Sequence, residues 1–418
     1  MIKLALRGAA IVAAGSALAL AGGLVPAQAA TSGWRTNATV AVSGSETIFT
    51  DVAASSPSDA WAVGFSAKDK GNSVAPTVIR RWTGKAWRAV TLPGKVARAW
   101  ERTDAVGSPV GAASARSVWV FGSVNGSYLR LSGSQWSIGR LPGAGSASSG
   151  TLVYVDAVKV FSSTDVWAFG VREALASGST EPYAAQYNGH KWSTETVPGS
   201  GAITAVAAVS AKDIWAVEST DSSGLLASAE ARPARAASPA ARSAAARLRA
   251  ASSTATAPVV VQWTGSSWQD AAQQPALAAT DQLVSAVAEP GGNVWFGGSA
   301  KNSAKGTSPL TAEWNGTAWS VKDLPGKASS AAWEIGSMAP DGTGGIWALV
   351  ANTNAERIWH LNGATWSQAK PAFGKHAWVL EAVAVVPGTH SAWAVGAVQG
   401  RTKSSANGLI AVDGSLPR

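Results

Sequence analysis

Six carboxylates stand 10 to 15 residues ahead of a recurring tryptophan in this chain: Asp51, Asp104, Asp156, Asp281, Glu334 and Glu381, with Glu101 just before Asp104. The whole sequence holds only 25 acidic residues, so their regular placement marks these as candidates for work on one surface. Gathered at one mouth, such groups could hold a cation, hydrogen-bond sugar hydroxyls, or act as acid and base on a glycosidic bond. The structural alternative is that each accepts backbone N–H groups from a neighbouring sheet. Three tryptophans, Trp100, Trp333 and Trp378, fall in the same connecting stretches. An exposed indole there stacks on a sugar face or anchors a protein partner; the alternative is that it seals a gap between repeats.

Other chemistries find no support. There is no cysteine, hence no thiol nucleophile, disulfide framework or cysteine-bound metal. The four histidines, His190, His360, His376 and His390, are not grouped at ligand spacing, so no metal and no cofactor is expected. No nucleophile, base and orienter can be read off as a set, and a non-catalytic role is the expectation.

The elements that must position these groups are set by the tryptophans. Seven times an apolar strand carries one, at Trp61, Trp119, Trp167, Trp215, Trp295, Trp347 and Trp393, with separations of 58, 48, 48, 80, 52 and 46 residues. A glycine and then a second tryptophan follow, as in RWTGKAW at 81–87. A period near 50 is that of a β-propeller blade. Each repeat reads as four antiparallel strands: a small apolar strand, the Trp-Ala-Val-Gly strand, a strand ending in an aromatic or aliphatic residue, and a strand opening with the second tryptophan. Asp59, Asp165, Asp213 and Asn293, each two before a leading tryptophan, are expected to cap their own turns. Gly84, Gly133, Gly189, Gly265, Gly316, Gly363 and Gly414 mark the turn between strands three and four. The pairs Leu92-Pro93, Leu141-Pro142, Val197-Pro198 and Leu324-Pro325 close the outermost strand, where a missing donor costs no ladder bond.

The last repeat ends without its second tryptophan, and the missing piece stands at the other end of the chain as Ser32-Gly33-Trp34 followed by an extended stretch over 36–42. The fold expected is all-β, a seven-bladed β-propeller whose N- and C-terminal strands pair in the last blade. Closure of that kind removes exposed edges.

Residues 1–29 read as a secretory signal peptide: Lys3 and Arg7, an apolar run, then Ala27-Gln28-Ala29. The apolar run is too short to span a bilayer. Residues 30–418 form the propeller, interrupted at 219–258 by an Ala/Arg/Ser-rich insertion between strands two and three of blade four. Of the net charge of +9, the leader removes two, and the insertion holds five arginines against two acids. Basicity suits anionic wall polymers, and export argues against nucleic acid as the partner.

Two small residues and a glycine ending strand two, an aromatic in strand three, a glycine turn, a tryptophan and a closing Leu-Pro together resemble the kelch or galactose-oxidase-like propellers. The Trp-Ala-Val-Gly variant is similar to that of secreted actinobacterial repeat proteins. The likeness covers 34–414, and only Gly297-Gly298 keeps the double glycine of the kelch pattern. A galactose oxidase resemblance implies copper with tyrosine and histidine ligands and a tyrosine–cysteine crosslink, which a chain without cysteine does not support.

The function expected is that of a secreted binding or scaffold module, released or held at the cell wall, a monomer without a membrane span, for an extracellular glycan or protein. The face bearing Trp100, Trp333, Trp378, Glu101, Asp104, Glu334 and Glu381 is the one expected to bind. The alternative is a glycan-cleaving hydrolase or lyase using two of those carboxylates.

Overall fold

The structure, a computed structural model, describes residues 33–42, 45–68, 77–103, 107–122, 125–145, 150–220, 256–302, 306–325, 333–352, 355–400 and 405–416. Within them lie seven four-stranded antiparallel sheets. Blade one is built from Ser45–Ser56, Asp59–Lys68, Thr77–Trp82 and Trp87–Ala89, in that order from the axis outward. The innermost strands of blades two to seven are Gly107–Ser114, Thr151–Ser162, Ala202–Ser210, Gln282–Ala288, Glu334–Pro340 and Trp378–Val385. Each innermost strand touches the next around the axis, and that of blade seven touches that of blade one. The ring is therefore closed, and its first strands surround a central channel.

Closure follows the expected route. Arg35–Val40 pairs antiparallel with Ala406–Asp413, supplying the outermost strand of blade seven. Trp34, just ahead of that strand, is buried, and its carbonyl accepts from the Ala372 amide at 2.7 Å. The Gly33 amide donates to Asp413 Oδ1 at 3.2 Å, so the first described residue is tied to the end of the last ladder.

The two tryptophan positions of the repeat meet each other across every blade boundary. The second tryptophan of a blade stands edge-on to the leading tryptophan of the blade before it. The pairs are Trp87–Trp393, Trp136–Trp61, Trp192–Trp119, Trp268–Trp167, Trp319–Trp215, Trp366–Trp295 and Trp34–Trp347, with centroids 5.0 to 6.4 Å apart and planes at 73° to 85°. Edge-on contact sets the positive rim of one ring against the negative face of another, worth about 0.5–1.5 kcal/mol beyond burial. Seven such contacts make the repeat a ring of interlocked indoles.

All seven glycines of the strand-three turn have positive φ, from 57° at Gly363 to 93° at Gly189, where a Cβ would be strained. The glycine that ends Trp-Ala-Val-Gly answers a different need. Every innermost strand breaks register, in blade one between Phe49 and Asp51, in blade four between Ile203 and Ala205 and in blade seven between Leu380 and Ala382. The bulge presses a carbonyl against the facing strand, so a Cβ at Gly64 would collide with the Ile48 oxygen, and one at Gly396 with that of Val379.

One expectation is corrected. Asp59, Asp165 and Asp213 do not cap their own turns. Each binds the strand-three residue paired with the leading tryptophan: Arg81 Nε donates to Asp59 at 2.8 Å, Gln186 Nε2 to Asp165 at 3.0 Å and Gln262 Nε2 to Asp213 at 2.8 Å. Arg81 also lies over the Trp61 ring, and in blade six His360 stacks on Trp347 at 4.0 Å while bonding Asp341. Arg81 and His360 therefore each cover a face of a leading indole.

Candidate functional site

The connection from blade one to blade two folds into a helix, Gly94–Glu101. Its apolar residues Val96 and Trp100 share a face four residues apart, and Trp100 is buried between the two blades with Nε1 donating to Thr77 Oγ1 at 2.8 Å. Trp333 is also buried, its ring covered by the Arg357 guanidinium 4.2 Å away. The expectation of exposed indoles is thus corrected for both: each fills a gap at a blade boundary. Trp378 opens the innermost strand of blade seven, half-buried, with Phe373 edge-on at 5.1 Å. It is the one of the three that keeps open surface.

The carboxylates do not form one ring. Their offsets from the tryptophans vary because the bulge and the strand starts place them at different depths. Glu101 is exposed at the helix end, and Asp104 lies outside the described residues. The Asp281 carboxylate accepts from the Ala278 amide at 2.8 Å, which makes it a turn cap. Asp51, fully buried, accepts from the Val52 amide at 2.8 Å and from Val110 of blade two at 2.7 Å. That is the structural alternative for this class of residue. Burial nevertheless pushes the Asp51 carboxyl up to about 7, against those two hydrogen bonds and the charge of Lys159.

Asp156 and Glu381 occupy the bulge of blades three and seven, and Glu334 begins the innermost strand of blade six, nearer the mouth. Glu334 and Glu381 are hemmed in by protein yet keep part of their surface open to water. Among the described residues, no hydrogen bond or ion pair reaches either carboxylate. Desolvation alone pushes both up to about 7. Glu356, on the third strand of blade six, joins them: its Oε2 accepts from the Leu380 amide at 2.5 Å. Burial and then the charge of Glu381 raise its carboxyl well above the ordinary value. Glu356 was missed in the sequence because no repeat offset marks it. Glu356 and Glu381 thus act on each other at the boundary of blades six and seven, and Glu334 shares the register row of Glu356, both being paired with Ala351.

Among the described residues, no group of three or more histidine, aspartate or glutamate side chains is placed to hold a metal ion. Nor is any helix among them long and apolar enough to cross a membrane. The insertion at 219–258 lies mostly outside the described residues; strands Asp213–Ser219 and Val259–Trp263 flank it, and Thr220 and Thr256 meet through their hydroxyls at 3.1 Å.

With the fold and these carboxylates in view, the chain is a seven-bladed β-propeller. No protein-family model matches it, and no curated protein matches it in sequence. Among solved structures it is similar to YCF48 bound to D1 peptide, with a TM-score of 0.52 and 14% identity over 94% of this chain and 98% of that one. It is likewise similar to YCF48 from Cyanidioschyzon merolae, at TM-score 0.51 and 14% identity over 91% and 98% of the two chains. A PL25 ulvan lyase follows at TM-score 0.47 and 10% identity, covering 90% of each. At these identities the likeness is one of fold.

Proposed function

We propose that this protein is a secreted, non-catalytic binding module that engages an extracellular glycan or protein at the channel mouth between blades six and seven. The observation that carries the reading is the pair Glu334 and Glu381, two half-enclosed carboxylates on adjacent blades with no partner in the described chain. Burying a polar group without a partner costs free energy, and a ligand that donates hydrogen bonds removes that cost. Trp378 adds an open aromatic surface at the same rim. Support for a peptide as occupant comes from the neighbouring fold, a YCF48 structure that is itself bound to D1 peptide. The signal-peptide pattern of 1–29 supports a partner outside the cell, and the kelch-like repeat grammar, with glycine and tryptophan at structural positions, fits a scaffold.

The test is a glycan array and a cell-wall and secreted-protein pulldown on the mature chain, repeated with Trp378→Ala and with Glu334→Gln/Glu381→Gln. Retention by the wild type and loss of about tenfold or more in the variants is expected, the scale of one lost anchor. Equal retention of all three proteins would remove this face.

One observation favours a second reading. Both carboxyls are held near 7, the range in which a buried acid donates and then accepts a proton during glycoside cleavage. Release of reducing ends from a bound polysaccharide, abolished by Glu381→Gln with binding intact, would establish a hydrolase or lyase instead.

A further inference from the structure

The charge of this chain is gathered on one side of the ring. Between 77 and 145, about a sixth of the sequence, ten lysines and arginines stand against two acids, Glu101 and Asp104, so this stretch carries +8 of the whole net charge of +9. It comprises the third and fourth strands of blade one, the helix Gly94–Glu101 and all of blade two. Nine of the ten cations lie on third or fourth strands, in the turn between them, or on and just after the helix. These are the outer parts of the blades, farthest from the axis.

The boundary between blades one and two collects them. On the helix, Val96 and Trp100 pack inward on the core that these blades share. Lys95, Arg98 and Arg102 recur at intervals of three and four, which sets them on one stripe of the opposite side, and all three are exposed. The helix rests on the fourth strand of blade two, Gln135–Arg140, which ends at the exposed Arg140. Alternation puts Arg140 on the face of Trp136 and Ile138, which line the same boundary. Nearer the hairpin turns, Arg81 lies over Trp61 at 5.3 Å and Trp136 meets that indole at 6.1 Å. Arg88 stands directly opposite Arg81 in the strand pairing and is exposed, while Trp136 is half-buried. Arg88 and the partly open Trp136 thus mark one end of the boundary, and the helical stripe with Arg140 marks the other, about the length of a strand away, ~17–20 Å.

The fold does not neutralise this side. Of the ten cations, Arg81 alone forms an ion pair among the described residues, with Asp59 at 2.8 Å. Arg130 holds the same place in blade two, opposite its leading tryptophan, but Ser117 stands where blade one has Asp59. Its guanidinium donates to Tyr187 Oη at 2.8 Å, and among the described residues its buried Nε meets no acceptor. Charge left open in this way favours an anionic partner. One exposed ion pair contributes little and is screened by salt. A chain of anions that bridges several cations gains from each, because after the first contact the others form within one complex. Arginine supplies eight of the ten, and its planar fork donates two parallel bonds to a carboxylate. The open part of an indole adds an apolar face on which a sugar ring stacks.

We propose that the outer boundary of blades one and two binds an acidic polysaccharide, a polymer with carboxylates on its sugar units, lying extended from Arg88 and Trp136 to the stripe of Lys95, Arg98 and Arg102. The surface stands two blades away from Glu334, Glu356 and Glu381 and has the opposite sign of charge. It therefore does not rest on the reading of the mouth, and either assignment stands if the other fails.

The purified protein is passed over immobilised polygalacturonate at low salt and at about 0.5 M sodium chloride, where exposed charges are screened. Retention at low salt and release at high salt are expected. Arg88→Gln/Arg98→Gln/Arg102→Gln is expected to bind about tenfold more weakly, a few-fold for each exposed contact. Lys301→Gln/Lys322→Gln/Lys370→Gln removes the same number of exposed charges from blades five and six and is expected to bind as the wild type does. Glu334→Gln/Glu381→Gln is expected to keep full affinity for this polymer. Equal weakening of the two triple variants would show that net charge alone acts, and loss of binding in the glutamate variant would place the polymer at the mouth. Either result overturns the proposal, as does a wild type that fails to bind at low salt or binds immobilised polyphosphate as tightly as polygalacturonate.

Discussion

The indole of Trp34 meets that of Trp347 edge-on, with centroids 5.4 Å apart and planes at 82°. The contact joins a residue near the start of the described residues to blade six, and it is the seventh copy of the contact that every other blade makes from within its own repeat. Trp34 thereby does for the ring what Trp366 does one boundary earlier, but on a strand that reaches its sheet only when the chain closes. Trp34→Ala should cost about 3–5 kcal/mol, the usual loss for a buried tryptophan. Urea denaturation followed by circular dichroism measures it, and a cost below 1 kcal/mol would mean that strand pairing alone holds the ring shut.

Glycines of the two classes should respond differently to alanine. At Gly64 the added methyl meets the Ile48 carbonyl, which the bulge holds in place, so Gly64→Ala should destabilise by about 1–3 kcal/mol or more through overpacking. At Gly133 nothing lies within 4 Å and the only obstacle is a φ of 65°. Gly133→Ala should cost about 1–2 kcal/mol, a left-handed penalty without a clash. Paired thermal melts decide whether the strand-two glycine is indeed the more demanding.

Much of this architecture was legible in the sequence because tryptophan, glycine and proline mark backbone geometry locally: the blade count, the seven turns and the pairing of the two termini all followed from spacing. Depth did not follow. Alternation along a strand predicts facing only while register is kept, and each innermost strand loses register at its bulge. Asp51 consequently points at a neighbouring backbone, whereas Glu381, at a similar offset, sits in the bulge itself and finds no such amide. The burial of Trp100 was readable in principle, since Val96 and Trp100 at helical spacing after Pro93 signal a helix start. The strand-three partners Arg81, Gln186 and Gln262 were not, because their role appears only when cross-strand register is known.

Asp51 offers a test of the blade one to blade two link. Its two oxygens each accept one amide, from Val52 and Val110. Asparagine keeps the shape but has only one acceptor oxygen, so Asp51→Asn must turn an NH₂ donor toward an amide that is already a donor. The expected cost is about 1–3 kcal/mol, that of an orphaned buried group. An unchanged melt would show that the amide of Val110 finds another acceptor.

Stability should rise as the solution is acidified from neutrality toward pH 5. Asp51, Glu334 and Glu381 have folded-state values near 7, and Glu356 is raised with them, whereas unfolded carboxyls titrate near 4. Between those limits the folded protein binds more protons than the unfolded one, so the free energy of unfolding falls with rising pH across roughly 4 to 7. The penalty is fully expressed above about 7. Asp341 acts in the opposite sense at lower pH. Although burial works against it, hydrogen bonds from His360, Thr343 and Gly345 hold its carboxyl well below the usual range, so its contribution is lost in stronger acid. Lys159, lowered to about 8, adds its own dependence only above that value. Melting temperatures at pH 5, 6 and 7.5 should therefore decline in that order. The slope should flatten in Glu334→Gln/Glu381→Gln, which removes two of the groups that must give up a proton. A wild-type melt that climbs from pH 5 to 7.5 would mean that these carboxylates are ionised and solvated in the folded protein, and would take away the desolvation on which the binding face rests.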